Sequence, residues 1–222
     1  REARHLRQEG IPASRIYRVG STAIDACLRN QALSETRTIV QHIRRDLGLS
    51  TGSGDYVLLT LHRALNTVPG TLRGIMDAVN HLAARWPFVF PVHPRTRQVL
   101  TSLLEDTPPL CLHPNIHLLE PVGYLDMLQL VKHARAVMTD SGGLQEEAAT
   151  LGIPLLIVRR ETEWDYLVDA GAAVLLGNTF SSIVLQAESL LTQGRSAFQQ
   201  VDMQPQQGAA ERIASTLQGL LA

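Results

Sequence analysis

The sequence predicts an α/β fold: a doubly wound, Rossmann-like parallel sheet. Three observations carry this expectation. From Asp55 onward, short β-branched or apolar runs alternate with longer stretches of helical periodicity. Those stretches are long enough to serve as right-handed crossovers between parallel strands. Five successive strand candidates then stop at polar or charged residues, the pattern expected where the carboxyl ends of strands line a crevice.

Taken in order, the chain opens on a helical tail that Gly10 stops. Pro12 begins a turn, and Ile16 to Val19 reads as a short strand. Helical stretches follow from Thr22 and from Thr36, and LSTGSG, Leu49 to Gly54, is a linker-like loop. Strands are expected at Tyr56 to Leu61, Phe88 to Val92, Ile116 to Leu119, Ala136 to Thr139, Leu155 to Val158 and Ala173 to Leu176. Helices are expected between them at Gly70 to Arg85, Thr96 to Glu105, Tyr124 to Ala134 and Leu144 to Leu151, and after them at Ser181 to Thr192. A Gln-rich connector, Gln199 to Gln207, leads into a last helix over Ala209 to Leu221. Because the chain opens in mid-helix without a cap, it has the look of the back half of something longer.

Composition narrows the function classes. At 222 residues the chain has room for one generous domain, or one domain and an appendage. A formal charge of −1 argues against holding nucleic acid or an anionic membrane by bulk charge, but leaves room for a local anion pocket. Lys132 is the one lysine; the other basic residues are arginines, whose planar forks suit phosphate, although genomic base composition explains the same skew. Cys27 and Cys111 follow no metal or redox spacing and read as small buried hydrophobes. With no apolar run near the roughly 20 residues of a membrane span and a charged rather than signal-like start, a cytoplasmic setting is expected.

The strand ends hold the candidate chemistry. YVLLTL ends in His62 and Arg63, FVFPV in His93, IHLL in Glu120, AVMT in Asp140 and Ser141, and LLIV in Arg159 and Arg160. Loops are generally polar, but His and Arg clusters on one rim point to an anionic ligand. TDSGGLQEEA, Thr139 to Ala148, is the most informative segment. Asp140 or Ser141 can cap the helix there, while Gly142 and Gly143 remove the side chains that would keep a ligand from its free amides. Arg159 and Arg63 would add charge-assisted hydrogen bonds. Glu147 lies four residues past Gly143, on the same helix face, where a carboxylate can accept from both hydroxyls of a ribose; Glu146 points elsewhere. The alternative is a glycine-rich turn leading into an acidic first helical turn. Trp164, in RRETEW, covers the pocket wall or packs against the sheet edge.

YVLLTLHRALNT, FVFPVHP, IHLLEPVGYLDMLQL, MTDSGGLQEEAATLGIPLLIVRRETEW and VDAGAAVLLG together resemble the non-hydrolysing UDP-N-acetylglucosamine 2-epimerases. The resemblance runs from about Glu9 to Leu191, and GIPASRIYRVGSTAIDACL is similar to the family's crossing between its two domains. It implies the C-terminal half of a GT-B architecture. Residues 1–50 would be the end of an N-terminal domain and the crossing, 51–195 a nucleotide-binding domain, and 196–222 a connector and helix. It also implies that Ser141, Gly142 and Gly143 hold the diphosphate, Glu147 the ribose, and Arg159 the nucleotide. His62 would be the catalytic contact to the diphosphate near the reacting sugar, and Arg63 and His93 would bind a second, activating UDP-sugar.

The chemistry implied is elimination of UDP and its re-addition with inversion at C2 of the sugar, without redox cofactor or metal, in a homodimer when full length. Two departures from the family pattern stand out. Met127 replaces a phenylalanine near the uracil, so a thioether contact would replace stacking, and ETEW replaces the more frequent TERPE. The TEW form also occurs in relatives acting on differently substituted UDP-sugars, such as the 2,3-diacetamido uronic acid epimerases. In the family the acid and base carboxylates lie in the first domain, so this chain alone is expected to bind nucleotide but not to epimerise. A GT-B glycosyltransferase and a non-catalytic UDP-binding module are the competing readings.

Overall fold

A computed structural model describes residues 2–48 and 54–221, so the expected linker lies, but for Gly54, outside the described residues. Six strands form one sheet: β1 (Val57–Thr60), β2 (Phe88–Pro91), β3 (Ile116–Leu119), β4 (Ala136–Thr139), β5 (Leu155–Ile157) and β6 (Ala173–Leu175). All neighbours are parallel, in the order β3-β2-β1-β4-β5-β6. This is the doubly wound Rossmann order, and every expected strand of the sheet is present.

Period-two alternation along the strands feeds two apolar layers. Val57, Leu59, Phe88 and Phe90 face one side, with α4 (Pro69–Ala83), α5 (Pro94–Leu104) and α9 (Phe180–Gln193). Leu58, Val89, Val137 and Leu155 face the other, with α6 (Tyr124–His133), α7 (Gly142–Thr150) and α8 (Asp165–Asp169). In α4, Pro69 supplies a preset φ in the first turn, and Leu72, Ile75, Met76, Val79 and Leu82 recur at helical spacing on the buried face. A Thr179–Ser182 capping box starts α9. Side chains as fully buried as Leu58 and Phe90 contribute about 1.5–3 kcal/mol each.

The N-terminal stretch has α1 (Glu2–Gln8), α2 (Thr22–Ser34) and α3 (Ile39–Leu47). Ile24, Val40 and Ile43 of α2 and α3 join the α6–α7 layer of the core. Three expectations fail. Ile16 to Val19 is no strand: the Ile16 amide bonds locally to Ala13 O, and the Val19 carbonyl accepts from Arg212 Nε at 2.8 Å. Thr36 lies in a turn, the helix starting at Ile39. Cys111 is exposed, because it sits on the surface connection between α5 and β3, where its carbonyl accepts from Asn80 at 2.7 Å. The final helix, α10 (Ala209–Leu221), is capped from a distance by Asp25 of α2, which accepts from the Gly208 and Ala210 amides at 2.7 and 2.9 Å.

Helix α4 leaves β1 towards one layer and α7 leaves β4 towards the other, so the chain diverges where these central strands end. That divergence opens a crevice at the carboxyl edge of the sheet. Among the described residues no helix is long and apolar enough to cross a membrane.

Candidate functional site

Asp140, the first residue after β4, organises the crevice floor. The expected cap does not form. Ser141 takes the N-cap position of α7 without a side-chain bond, its own amide held by Thr139 Oγ1 at 2.9 Å. The fully buried Asp140 side chain turns back to the loop after β1 and accepts from the amides of His62 and Arg63, each at 3.0 Å, and from Asn66 Nδ2 at 3.1 Å. Its Oδ1 lies 3.2 Å from His62 Nδ1, and its carbonyl accepts from Arg63 Nε at 3.0 Å. Two loop amides in a buried corner need an ionic acceptor more than the helix needs a cap. Burial, the largest single influence, pushes the Asp140 carboxyl up; the hydrogen bonds from the His62 ring, Arg63 and Asn66 outweigh it and hold the group below the ordinary carboxylate range.

Asn66 ties the same corner to β5 and to the loop after β6. Its Nδ2 also donates to Val158 O at 2.8 Å, and its Oδ1 accepts from Asn178 at 3.3 Å. The His93 ring stands 5.6 Å from that of His62, and its Nδ1 accepts from the Arg95 amide at the start of α5.

Helix α7 presents its amino end above this floor. A Cβ on Gly143 would meet open space, and one on Gly142 would meet Arg63 Nη2 at 3.5 Å, Trp164 Nε1 at 3.8 Å and Glu163 Oε2 at 4.0 Å. The absent side chain of Gly142 therefore keeps a notch open between these three groups. In that notch Arg159 forks onto Glu163 through Nη1 and Nη2 at 2.6 and 3.0 Å, and Arg63 Nη2 reaches the same carboxylate at 3.4 Å. The Arg159 hydrogen bond is the chief cause that draws the Glu163 carboxyl down to about 2. An anion thus already sits on both arginines, beside a helix amino end whose partial positive charge favours one.

The wall of the notch is fastened by a buried network. Gln145 donates to Ser141 O at 2.9 Å and accepts from Thr162 Oγ1 at 2.6 Å, and Thr162 accepts from the Trp164 amide at 3.1 Å. Trp164 Nε1 then donates to Gly142 O at 2.9 Å while its ring packs on the α7 layer, so it both covers the notch and joins the core.

One turn further along α7 the character changes. Glu147 accepts a hydrogen bond from the Tyr124 hydroxyl at the start of α6, and Met127 follows one turn later on α6, half-buried against the core. Burial, more than the neighbouring Glu146, raises the Glu147 carboxyl despite the Tyr124 bond. Burial and then Glu147 push the Cys27 thiol up to about 12, so it stays protonated.

The structure thus brings His62, Arg63, His93, Ser141, Gly142, Gly143 and Arg159 to one rim, with Glu147 and Met127 on its α6–α7 flank. Glu120 turns away to pair with Arg97 at 3.0 Å. Sequence reasoning missed Asn66, Gln145, Thr162, Tyr124 and the anionic role of Glu163. The last of these lies in a loop, where i, i+4 spacing has no helical meaning, so no local signal pointed to it.

A parallel sheet of this order, with a glycine-fronted helix and two arginines converging on an anionic group at its switch point, defines a Rossmann-like α/β protein with an anion-holding crevice. More narrowly, the chain belongs to the UDP-N-acetylglucosamine 2-epimerase family, whose profile matches residues 1–218. The UDP-N-acetylglucosamine 2-epimerase of Methanocaldococcus jannaschii is 35% identical over 196 residues, 86% of this chain and 52% of that protein. The UDP-2,3-diacetamido-2,3-dideoxy-D-glucuronate 2-epimerase of Pseudomonas aeruginosa is 37% identical over 191 residues, 84% of this chain and 49% of that protein. The M. jannaschii epimerase solved in complex with UDP-GlcNAc and UDP superposes with a TM-score of 0.80 at 32% identity, covering 97% of this chain and 58% of that one. The chain therefore spans about half the length of the relatives it matches, and its fold is that of one half of a GT-B architecture.

Proposed function

We propose that this chain is the UDP-binding half of a UDP-sugar 2-epimerase that interconverts UDP-N-acetylglucosamine and UDP-N-acetylmannosamine by eliminating and re-adding UDP. One observation carries the reading: Arg63, Arg159 and the open amino end of α7 converge on a single anionic position. A diphosphate would take that position by displacing the Glu163 carboxylate, gaining charge-assisted bonds from both guanidinium groups and the Gly142 and Gly143 amides. Glu147, one turn along α7, would receive the ribose hydroxyls, and Met127 would lie against the base. His62 would contact the diphosphate on the sugar side, with His93 and Arg63 beside it at the place for a second UDP-sugar.

Elimination builds negative charge on the departing diphosphate, and preorganised cations and amides stabilise that charge without reorganising. Proton transfer at C2 needs a free carboxylate of matched acidity. Asp140 is buried on the loop amides, Glu163 is clamped by Arg159, and Glu147 faces Tyr124. We therefore assign the C2 proton to groups other than these three; because the family resemblance places the acid and base carboxylates in the first domain, this chain alone is expected to hold UDP without exchanging the C2 hydrogen.

Calorimetry tests the binding claim. UDP should bind well and uridine weakly, and Arg159→Ala should weaken UDP while leaving uridine unchanged; equal losses for the two ligands would place Arg159 away from the phosphates. Incubation with UDP-N-acetylglucosamine in heavy water should leave C2 free of deuterium. A second reading, a 2,3-diacetamido uronate epimerase, is favoured by the ETEW segment and by the P. aeruginosa relative. Turnover of each sugar nucleotide by the full-length protein separates the two.

A further inference from the structure

We infer that Asp140 is the positioning residue of the His62–Arg63 pair: its carboxylate fixes the His62 ring in the Nδ1–H form and so makes Nε2 the nitrogen offered to a ligand. The contacts leave little freedom. Asp140 Oδ1 accepts from the His62 amide at 3.0 Å and faces the His62 Nδ1 at 3.2 Å; Oδ2 accepts from Arg63 N at 3.0 Å and Asn66 Nδ2 at 3.1 Å. An ionised carboxylate only accepts, so the ring must bring the proton to Nδ1. An unconstrained histidine favours the opposite form, with the proton on Nε2. The His62 side chain is 39% exposed, and with Nδ1 taken up by Asp140 the nitrogen left for a ligand is Nε2.

The same residue roots Arg63. Its backbone amide lies on Asp140 Oδ2 and its Nε on the Asp140 carbonyl at 3.0 Å, so only the tip of the guanidinium is free to exchange Glu163 for another anion. One buried side chain thereby sets the direction of two ligand-facing groups. For the UDP role, the inference rests on the binding site proposed above; for the tautomer it does not.

Asp140→Asn makes a specific test. Arg63 N–H, Asn66 Nδ2–H and the His62 amide, which also lies 3.1 Å from Oδ2, can all be served by an oxygen at the Oδ2 position, so the new amide would turn its NH2 to the Oδ1 side, towards the imidazole. Nδ1 would then have to accept, and the proton would move to Nε2, the wrong-tautomer effect known from a catalytic triad. The measurement is a long-range nitrogen–proton spectrum of the 15N-labelled 222-residue chain at a pH where its rings are neutral, with His62→Gln used to assign the signals. The expected result is a pyrrole-type Nδ1 and a pyridine-type Nε2 for His62, reversed in Asp140→Asn, together with about tenfold or greater loss of UDP affinity in that variant. An Nε2–H ring in the unsubstituted protein overturns the inference, and this holds even if the variant does not fold. A folded Asp140→Asn that keeps Nδ1–H overturns it as well. An Nδ1–H ring in a protein that binds no UDP would uphold the positioning and sink the nucleotide reading instead.

Discussion

Replacing Glu163 with glutamine probes the notch at its most exposed joint. The Arg159 fork holds the Glu163 carboxyl at about 2 against an ordinary 4.5. At about 1.4 kcal/mol per unit, that shift corresponds to a gross interaction of about 3 kcal/mol. Glu163 is 52% exposed, so solvent screening reduces this to the ~1 kcal/mol of a well-formed surface pair. Glu163→Gln should therefore lose about 1 kcal/mol of folding stability at neutral pH. The sign with pH follows from a depressed carboxyl. The contribution is present above 4.5 and is lost as pH falls through about 2, so wild type and variant should converge over that interval. If the carboxylate stands where the diphosphate goes, the same 1 kcal/mol returns in binding, and UDP should bind about fivefold tighter to the variant. Denaturant unfolding at several pH values and calorimetric titration with UDP measure the two halves. Weaker UDP binding in Glu163→Gln would refute the competition and make Glu163 a support for Arg159 instead.

Three further substitutions test other parts of the rim. Gly142→Leu should fill the notch, since even its Cβ would stand 3.5 Å from Arg63 Nη2; calorimetry should show UDP binding lost while the thermal melt changes little, and unimpaired binding would contradict the notch. Glu147 ionises at a cost, because its carboxyl is raised by burial; the wild type therefore loses stability as pH rises from 4.5 through that raised value. Glu147→Gln should escape that loss in denaturant titrations, yet bind UDP about tenfold more weakly through loss of a charged acceptor for the ribose. Asn66→Ala strips a partner from the Asp140 carboxylate and another from the Val158 carbonyl, and should cost about 1–3 kcal/mol in urea unfolding.

Much of this was legible in the sequence because the relevant signals are local. Six apolar runs separated by helical periodicity gave the six strands almost to the residue, and parallel crossovers then required the rim to gather His62, Asp140 and Arg159. Glycines before an amphipathic run marked the open end of α7. What escaped depends on contacts between distant segments. Asp140 looked like a helix cap because capping is a local rule; its actual partners lie more than 70 positions away, on the loop after β1. Ile16 to Val19 has the residues of a strand, but no strand among the described residues pairs with it, and its Val19 carbonyl is taken by Arg212 from the C-terminal helix. Tyr124 reaches Glu147 only because α6 and α7 share one layer, which periodicity alone does not pair.

The most direct test of the UDP site is a titration of the 15N-labelled chain with UDP, followed by amide chemical shifts. The predicted result is saturable movement largest at Gly142, Gly143 and Leu144, with Arg63 and the Arg159–Glu163 segment shifting in step. Saturation that leaves the first turn of α7 unmoved, or shifts clustered elsewhere on the chain, would contradict the account.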